Sequence, residues 1–274
     1  MTRERQAALG AFGLALGIAA LCLILILTAL HAVGTDDALY FRLQAEAGIL
    51  PESGISEGDL RTLDAALAHS LAGNPDELMT PLENEPGEYA VLALNVNGSL
   101  QPAFNERELT HLRDCCDLFA LLRKVRRRLI PWAVLLVVGG AYLLRDRRRI
   151  RRVACLSPLI LLIPLGAFAL WSAVDFDSAF TFFHRLLFTN DLWLLDPRTD
   201  LLIRICPITM FMALGLRVGL IALAILVGVP SAIVALTYLW PRQKQSEDNS
   251  WNDNRAMRRA SAQKPKTFDI GAKR

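Results

Sequence analysis

The chain has 274 residues, 53% of them hydrophobic and 21% charged, with a formal net charge of +3. Such a composition, with positive mean hydropathy, excludes an ordinary soluble globule and fits an integral membrane protein. The small net charge hides a strong segregation of sign along the chain, and no nucleic-acid partner is expected.

Four apolar stretches follow in chain order, at residues 7–33, 129–144, 153–174 and about 218–240. The first, third and fourth exceed the roughly 20 residues needed to cross about 30 Å of hydrocarbon. The second is short and is expected to extend backward as a helix through residues 117–128. Residues 7–33 are too long for a secretory signal core and lack a small-residue cleavage site after them, so they read as a retained signal-anchor helix. Residues 145–152 carry six arginines, and the tail after Trp240 carries nine basic residues. Both belong in the cytoplasm by the positive-inside rule. The expected architecture is mainly α: a polytopic protein with four transmembrane helices, both termini cytoplasmic and a small extracellular α/β cap. Its parts are an anchor helix (1–33), the cap with a first polar motif (34–128) and membrane helices two and three (129–174). A second outer polar motif (175–213), the fourth helix (214–240) and a disordered basic cytoplasmic tail (241–274) follow. One cluster disagrees with this layout: Arg123, Lys124, Arg126, Arg127 and Arg128 sit at the outer end of the second span. Snorkelling to phosphates and capture of anionic lipid head groups both account for it.

Within the first outer segment, Leu60, Leu63, Leu67 and Leu71 show a helical repeat over residues 58–72. His69 reads as a solvated surface residue on that helix. Residues 88–100 are strand-like, with Asn97-Gly98 marking a tight hairpin turn. Asn105 fits a helix N-cap, Glu108 the reciprocal carboxylate, and Phe104 with Leu109 the hydrophobic staple. His111 then lies two turns in, with Arg107, Asp114 and Cys115 on its face. Asp114 is placed to hold one imidazole nitrogen and leave the other free.

The second outer segment begins with Asp175 and Asp177. Asp177 or Ser178 is expected to cap a short helix over residues 179–188 carrying His184, which Phe180, Phe183, Leu187 and Phe188 should partly desolvate. Asp191 can orient His184 only if the chain turns at Thr189-Asn190. Asp196-Pro197 predicts another helix start, with Asp at the N-cap and Pro at the first helical position. Pro207 ends or kinks that helix. Arg198, between Asp196 and Asp200, reads either as an internally neutralised pair or as an oxyanion clamp. Trp171 and Trp193 suit an outer aromatic belt. His31, with nothing acidic within a turn, carries no expected chemistry.

Ionisable and polar groups at membrane depth point to function. No GxSxG, Walker loop or HExxH is present, which removes the usual support for a serine hydrolase, a nucleotide site or a standard zinc protease. The five cysteines are dispersed without a CxxC pair, which gives no support to structural zinc. A disulfide from Cys206 to Cys115 or Cys116 is not indicated by spacing. What remains is two histidines on separate outer segments, His111 and His184, each with carboxylates close in sequence. Histidine is the natural general base near neutral pH.

The blocks FNERELTHLRD (104–114) and FHRLLFTNDLWLLDPRTDLLIRICP (183–207) resemble the two signature blocks of the lipoprotein intramolecular transacylases, four-helix proteins of bacteria bounded by a single membrane. The family's first block continues Asp-Val where this chain has Asp114-Cys115-Cys116. The resemblance implies transfer of the sn-2 acyl chain from glycerol oxygen to the free α-amine of a diacylglyceryl-cysteine lipoprotein, giving the lyso form. It maps the family's two motif histidines to His111 and His184 by position, at the outer leaflet. Asn105, Asp114, Asn190, Asp191 and Arg198 are candidates for oxyanion, orienting or substrate-binding roles. No cofactor is implied, and the expected partners are diacylated bacterial lipoproteins and membrane phospholipid. Two rival readings are a non-catalytic lipid- or lipoprotein-binding factor and a metal-assisted membrane hydrolase using both histidines and an aspartate.

Overall fold

The computed structural model describes residues 2–50, 55–75, 80–81, 89–90, 93–96, 99–239 and Met257. By internal contacts the chain divides into two units, Met1–Val234 and Ala235–Arg274. The expected turn at Asn97-Gly98 and the basic tail, apart from Met257, lie outside the described residues.

Helix α1 runs Arg3–Gly34, started by the Thr2 hydroxyl accepting from the Arg5 amide. Two shorter helices follow, α2 (Asp37–Glu46) and α3 (Glu57–Ala72), capped by the side chains of Asp36 and Ser56. Strands β1 (Thr80–Pro81) and β2 (Tyr89–Ala90) pair antiparallel, as do β3 (Ala93–Val96) and β4 (Ser99–Pro102), with Ala93 opposite Pro102 and Val96 opposite Ser99. These two ladders do not join into one sheet. The α/β cap expected from sequence is therefore replaced, in the core described here, by a helical assembly.

Helix α4 (Glu106–Leu144) has 39 residues. At 1.5 Å per residue that is about 58 Å, nearly twice the hydrocarbon thickness. The backward extension of the second span thus continues without a break to the Asn105 capping box, in which both reciprocal bonds are formed. The third apolar stretch is two helical pieces, α5 (Arg147–Leu156) and α6 (Leu159–Val174), separated at Ser157-Pro158 because proline has no amide to donate. Helices α7 (Phe176–Leu187), α8 (Leu201–Ile205) and α9 (Ile208–Leu239) follow. The cap of α7 is Asp175, whose carboxylate accepts from the Ser178 amide, and not Asp177 or Ser178. No helix starts at Asp196-Pro197. Residues 197–199 form a turn in which the Asp196 carbonyl accepts from the amides of Thr199 and Asp200, and α8 begins only after Asp200. Beyond Pro207 the chain re-enters a helix at once, so α9 starts ten residues earlier than the hydropathy suggests.

Among the described residues, four helical stretches are long and apolar enough to cross a membrane: Arg3–Gly34, Glu106–Leu144, Arg147–Val174 and Ile208–Leu239. Their outward faces carry exposed apolar side chains such as Phe12, Val138, Leu170 and Leu220, as lipid-facing surfaces require. Helices α1 and α4 approach closely through glycine. A Cβ on Gly140 would lie 2.5 Å from the Leu14 amide nitrogen, and one on Gly17 would lie 2.7 Å from that of Val137. Small residues permit such backbone contact between membrane helices. One buried cluster, including Leu14, Ile18, Cys22, Leu144, Ala154 and Leu226, ties α1, α4, α5 and α9 together. The other joins α2 and α3 (Leu39, Leu43, Leu60, Leu63) to Phe104, Leu112 of α4 and Ile205 of α8. Inside it, Gln44 Nε2 donates to the Asp64 carboxylate at 2.8 Å and to the Ile205 carbonyl at 3.0 Å. Arg123 donates to the Leu71 carbonyl at 2.6 Å, so this member of the basic run satisfies the last turn of α3.

Candidate active site

The first turns of α4 and the segment 188–202 are held together by three contacts between groups 84 to 95 residues apart in sequence. The Glu108 carboxylate is almost fully buried. One oxygen accepts from its own cap amide at Asn105 (2.8 Å), and the other accepts from the Leu202 amide (2.6 Å). A carboxylate on α4 thereby satisfies the open N-terminus of α8, a place where negative charge is favoured. The Asn105 side chain donates to Asp200 at 2.8 Å, and Arg107 donates to the Asp191 carbonyl at 2.8 Å. Asp200 also accepts from the Asp196 amide and the Thr199 hydroxyl. Burial pushes the Asp200 carboxyl up, but these hydrogen bonds, led by the Asp196 amide, outweigh it and leave Asp200 below the usual range.

A second tie lies about two turns further along α4. Asp114 accepts from Asn190 Nδ2 at 2.9 Å. The Asn190 carbonyl in turn accepts from the Trp193 indole at 3.0 Å, and its side-chain oxygen accepts from the Leu192 amide. Asp114 therefore holds Asn190 instead of the His111 ring.

Between these ties His111 and His184 face one another, with ring centroids 6.3 Å apart. His111 is buried, its ring edge-on to Phe188 at 5.1 Å. Its Nε2 lies 3.7 Å from Cys115 Sγ, and its Nδ1 is buried without a hydrogen-bond partner among the described residues. His184, in the last turn of α7, donates from Nδ1 to the Phe180 carbonyl at 2.8 Å. Phe180, Trp193, Phe183 and Phe188 surround its ring, at 4.0, 4.9, 5.5 and 5.7 Å between centroids. Burial pushes His184 below the usual histidine value, against the opposing effect of its bond to Phe180.

Of the other candidates, Asn105, Asp114 and Asn190 join the scaffold around the histidines. Asp191 enters through its backbone carbonyl and not its carboxylate. Arg198 stands apart: it pairs with Asp196 at 2.8 Å and its side chain is 88% exposed. Trp193, expected in an interfacial belt, is buried against His184. Residues that sequence reasoning missed as cross-links are Glu108, visible only as a local cap, and Asp200, which has no local signal at all. His69 is exposed on α3, and His31 packs on Phe119. Among the described residues, no three His, Cys, Asp or Glu side chains gather as a metal site.

Comparison with known proteins gives a consistent answer. A family model described as lipoprotein intramolecular transacylase Lit matches residues 15–211, a range that contains both histidines. No curated protein sequence matches. The membrane-integral lipoprotein intramolecular transacylase Lit of Bacillus cereus is 21% identical, covering 86% of this chain and 98% of its own, with a TM-score of 0.55. A histidine-to-arginine variant of that protein (21% identity, 86% and 92% coverage) scores 0.53, and a histidine-to-alanine variant (20%, 89% and 96%) scores 0.51. At that identity the structural likeness establishes a shared fold. With the family model spanning most of the chain and four apolar helices in the fold, this chain belongs to the lipoprotein intramolecular transacylases, membrane acyltransferases that act on lipoproteins.

Proposed function

We propose that this enzyme moves the sn-2 acyl chain of a diacylglyceryl-cysteine lipoprotein onto the α-amine of the same cysteine, with His111 and His184 as its catalytic residues. The observation that carries this reading is the facing of two imidazoles from segments 73 residues apart, 6.3 Å between centroids, in an apolar enclosure. The carbon–nitrogen bond forms as the carbon–oxygen ester bond breaks, so one proton must travel from the amine to the departing glycerol oxygen. His184 suits its collection: with Nδ1–H bound to a carbonyl, its Nε2 keeps a lone pair. Burial favours the neutral, basic form. Because the amine is tethered beside its ester, the effective concentration of nucleophile is very high, and no serine or cysteine nucleophile is needed.

In this reading the enzyme spans the bacterial cell membrane four times with both termini in the cytoplasm. Segments 34–128 and 175–213 lie outside, and the site faces the outer leaflet, where the lipoprotein N-terminus emerges. The helices α2 and α3 belong to the outer part. Lys124, Arg126, Arg127 and Arg128 then lie level with phospholipid phosphates. The test is tandem mass spectrometry of a reporter lipoprotein's N-terminal peptide from cells with and without the enzyme. Migration leaves the intact mass unchanged, so fragmentation must locate the chain. N-acyl S-monoacylglyceryl cysteine appearing only with the enzyme is the expected result; persistent diacylglyceryl cysteine refutes it.

A further inference from the structure

The two rings of the site are held at opposite nitrogens. His184 is bound at Nδ1, 2.8 Å from the Phe180 carbonyl oxygen, which only accepts; Nδ1 therefore carries the proton and Nε2 the lone pair. His111 is approached at Nε2, 3.7 Å from the Cys115 thiol one helical turn further along α4, while its Nδ1 is buried and unpartnered among the described residues. We infer that Cys115 is a positioning residue that holds His111 as its Nδ1–H tautomer, so that the pair offers a reacting ester one acceptor, His184 Nε2, and one donor, His111 Nδ1–H.

The direction of the Cys115 contact follows from the groups. A thiol is a weak donor and its sulfur a weak acceptor, whereas an imidazole sp² nitrogen accepts well. S–H donating to Nε2 is thus the better of the two arrangements, and it leaves the ring proton on Nδ1. A buried N–H without an acceptor is costly and rare. An ester oxygen entering the site supplies the missing acceptor, and binds more strongly as negative charge grows on it during attack by the amine. The step balances without His111 gaining or losing a proton. The amine proton passes to His184 Nε2 and from there to the glycerol oxygen, while His111 Nδ1–H only donates a hydrogen bond. The charged and titratable groups about His111 are His184 on α7, Asp114 on α4, which Asn190 engages, and Cys115 itself.

This inference rests on the acyl-transfer reading above, and the experiment separates the two. Full-length enzyme with nitrogen-15-labelled histidine is reconstituted in lipid as wild type, Cys115→Ala, Cys115→Ser and His111→Ala, and assayed on a synthetic diacylglyceryl-cysteine lipopeptide. Nitrogen shifts are expected to assign His111 to the Nδ1–H form in the wild type and to a tautomer mixture in Cys115→Ala. The kcat of Cys115→Ala should fall about tenfold, the worth of one hydrogen bond, with KM unmoved. Cys115→Ser, which keeps a hydroxyl donor, should recover most of that loss and the wild-type tautomer. An unchanged tautomer or an unchanged kcat in Cys115→Ala, with His111→Ala inactive, overturns the role of Cys115 alone. Wild-type activity in His111→Ala overturns the histidine reading and this inference with it.

Discussion

His184 illustrates how an apolar setting prepares a base. Its ring lies among Phe180, Phe183, Phe188 and Trp193, and burial disfavours the imidazolium, so the folded protein holds it below the ordinary histidine value. In the proposed mechanism the neutral ring is the active base. The His184 ring should therefore stay neutral as pH falls past about 6.5, the unperturbed value, and take up a proton only at lower pH. Nitrogen-15 shifts of the labelled ring against pH check this, and a midpoint at or above 6.5 contradicts it. Replacing His184 by alanine should cost about 10²- to 10⁴-fold in rate, the usual worth of a positioned base, and replacing His111 about 10²- to 10³-fold, the worth of an oxyanion donor, each with the protein still folded in the membrane. A single-turnover assay on a purified lipopeptide measures the loss. The sequence named both histidines and the phenylalanines around His184, but not Trp193. Trp193 reads as an interfacial tryptophan until the turn at residues 189–195 brings its indole to the Asn190 carbonyl.

The helices at the site are held less by their own propensities than by groups lent from other elements. Helix α8 has five residues, and its cap Asp200 makes no side-chain cap bond; the Leu202 amide is satisfied by Glu108 from α4. Glu108→Ala leaves that buried amide unpaired. It should cost about 1–3 kcal/mol and lower activity with it, since α8 and the loop before it position the segment that follows His184. Thermal unfolding in detergent, with parallel assays, gives both numbers; an unchanged midpoint would show the staple to be idle. Between α2 and α3, burial raises the Asp64 carboxyl to about 7 despite its bond from Gln44. A folded-state value above the unfolded one, about 3.9, means the folded protein binds the extra proton. The stability this gives is full below about pH 4 and is lost as pH rises through about 7. Asp64→Asn keeps the shape without the charge. Its unfolding midpoint should exceed the wild type's above pH 7 and vary less between pH 4 and 7.

Across the whole molecule, four apolar stretches, the six-arginine loop and the basic tail predict a topology that reporter fusions check directly. A fluorescent protein fused after the tail should fold and fluoresce in the cytoplasm, and a periplasm-type phosphatase placed after residue 75 should be active outside. Reversed signals would put the site on the wrong leaflet. The sequence by itself determined the spans, the capping box at Asn105 and the two histidine-bearing blocks, because hydrophobicity, caps and local residue types are written within one or two turns of chain. Only the tertiary structure decided that α4 continues unbroken from that cap into the membrane, that Asn105 meets Asp200, that Asp114 holds Asn190 and not His111, and that Arg198 stays outside with Asp196. Hydrogen bonds that close across 76 to 95 residues leave no periodicity for a reader of the chain. They are chosen by which buried donors and acceptors the packed helices bring within about 3 Å of one another.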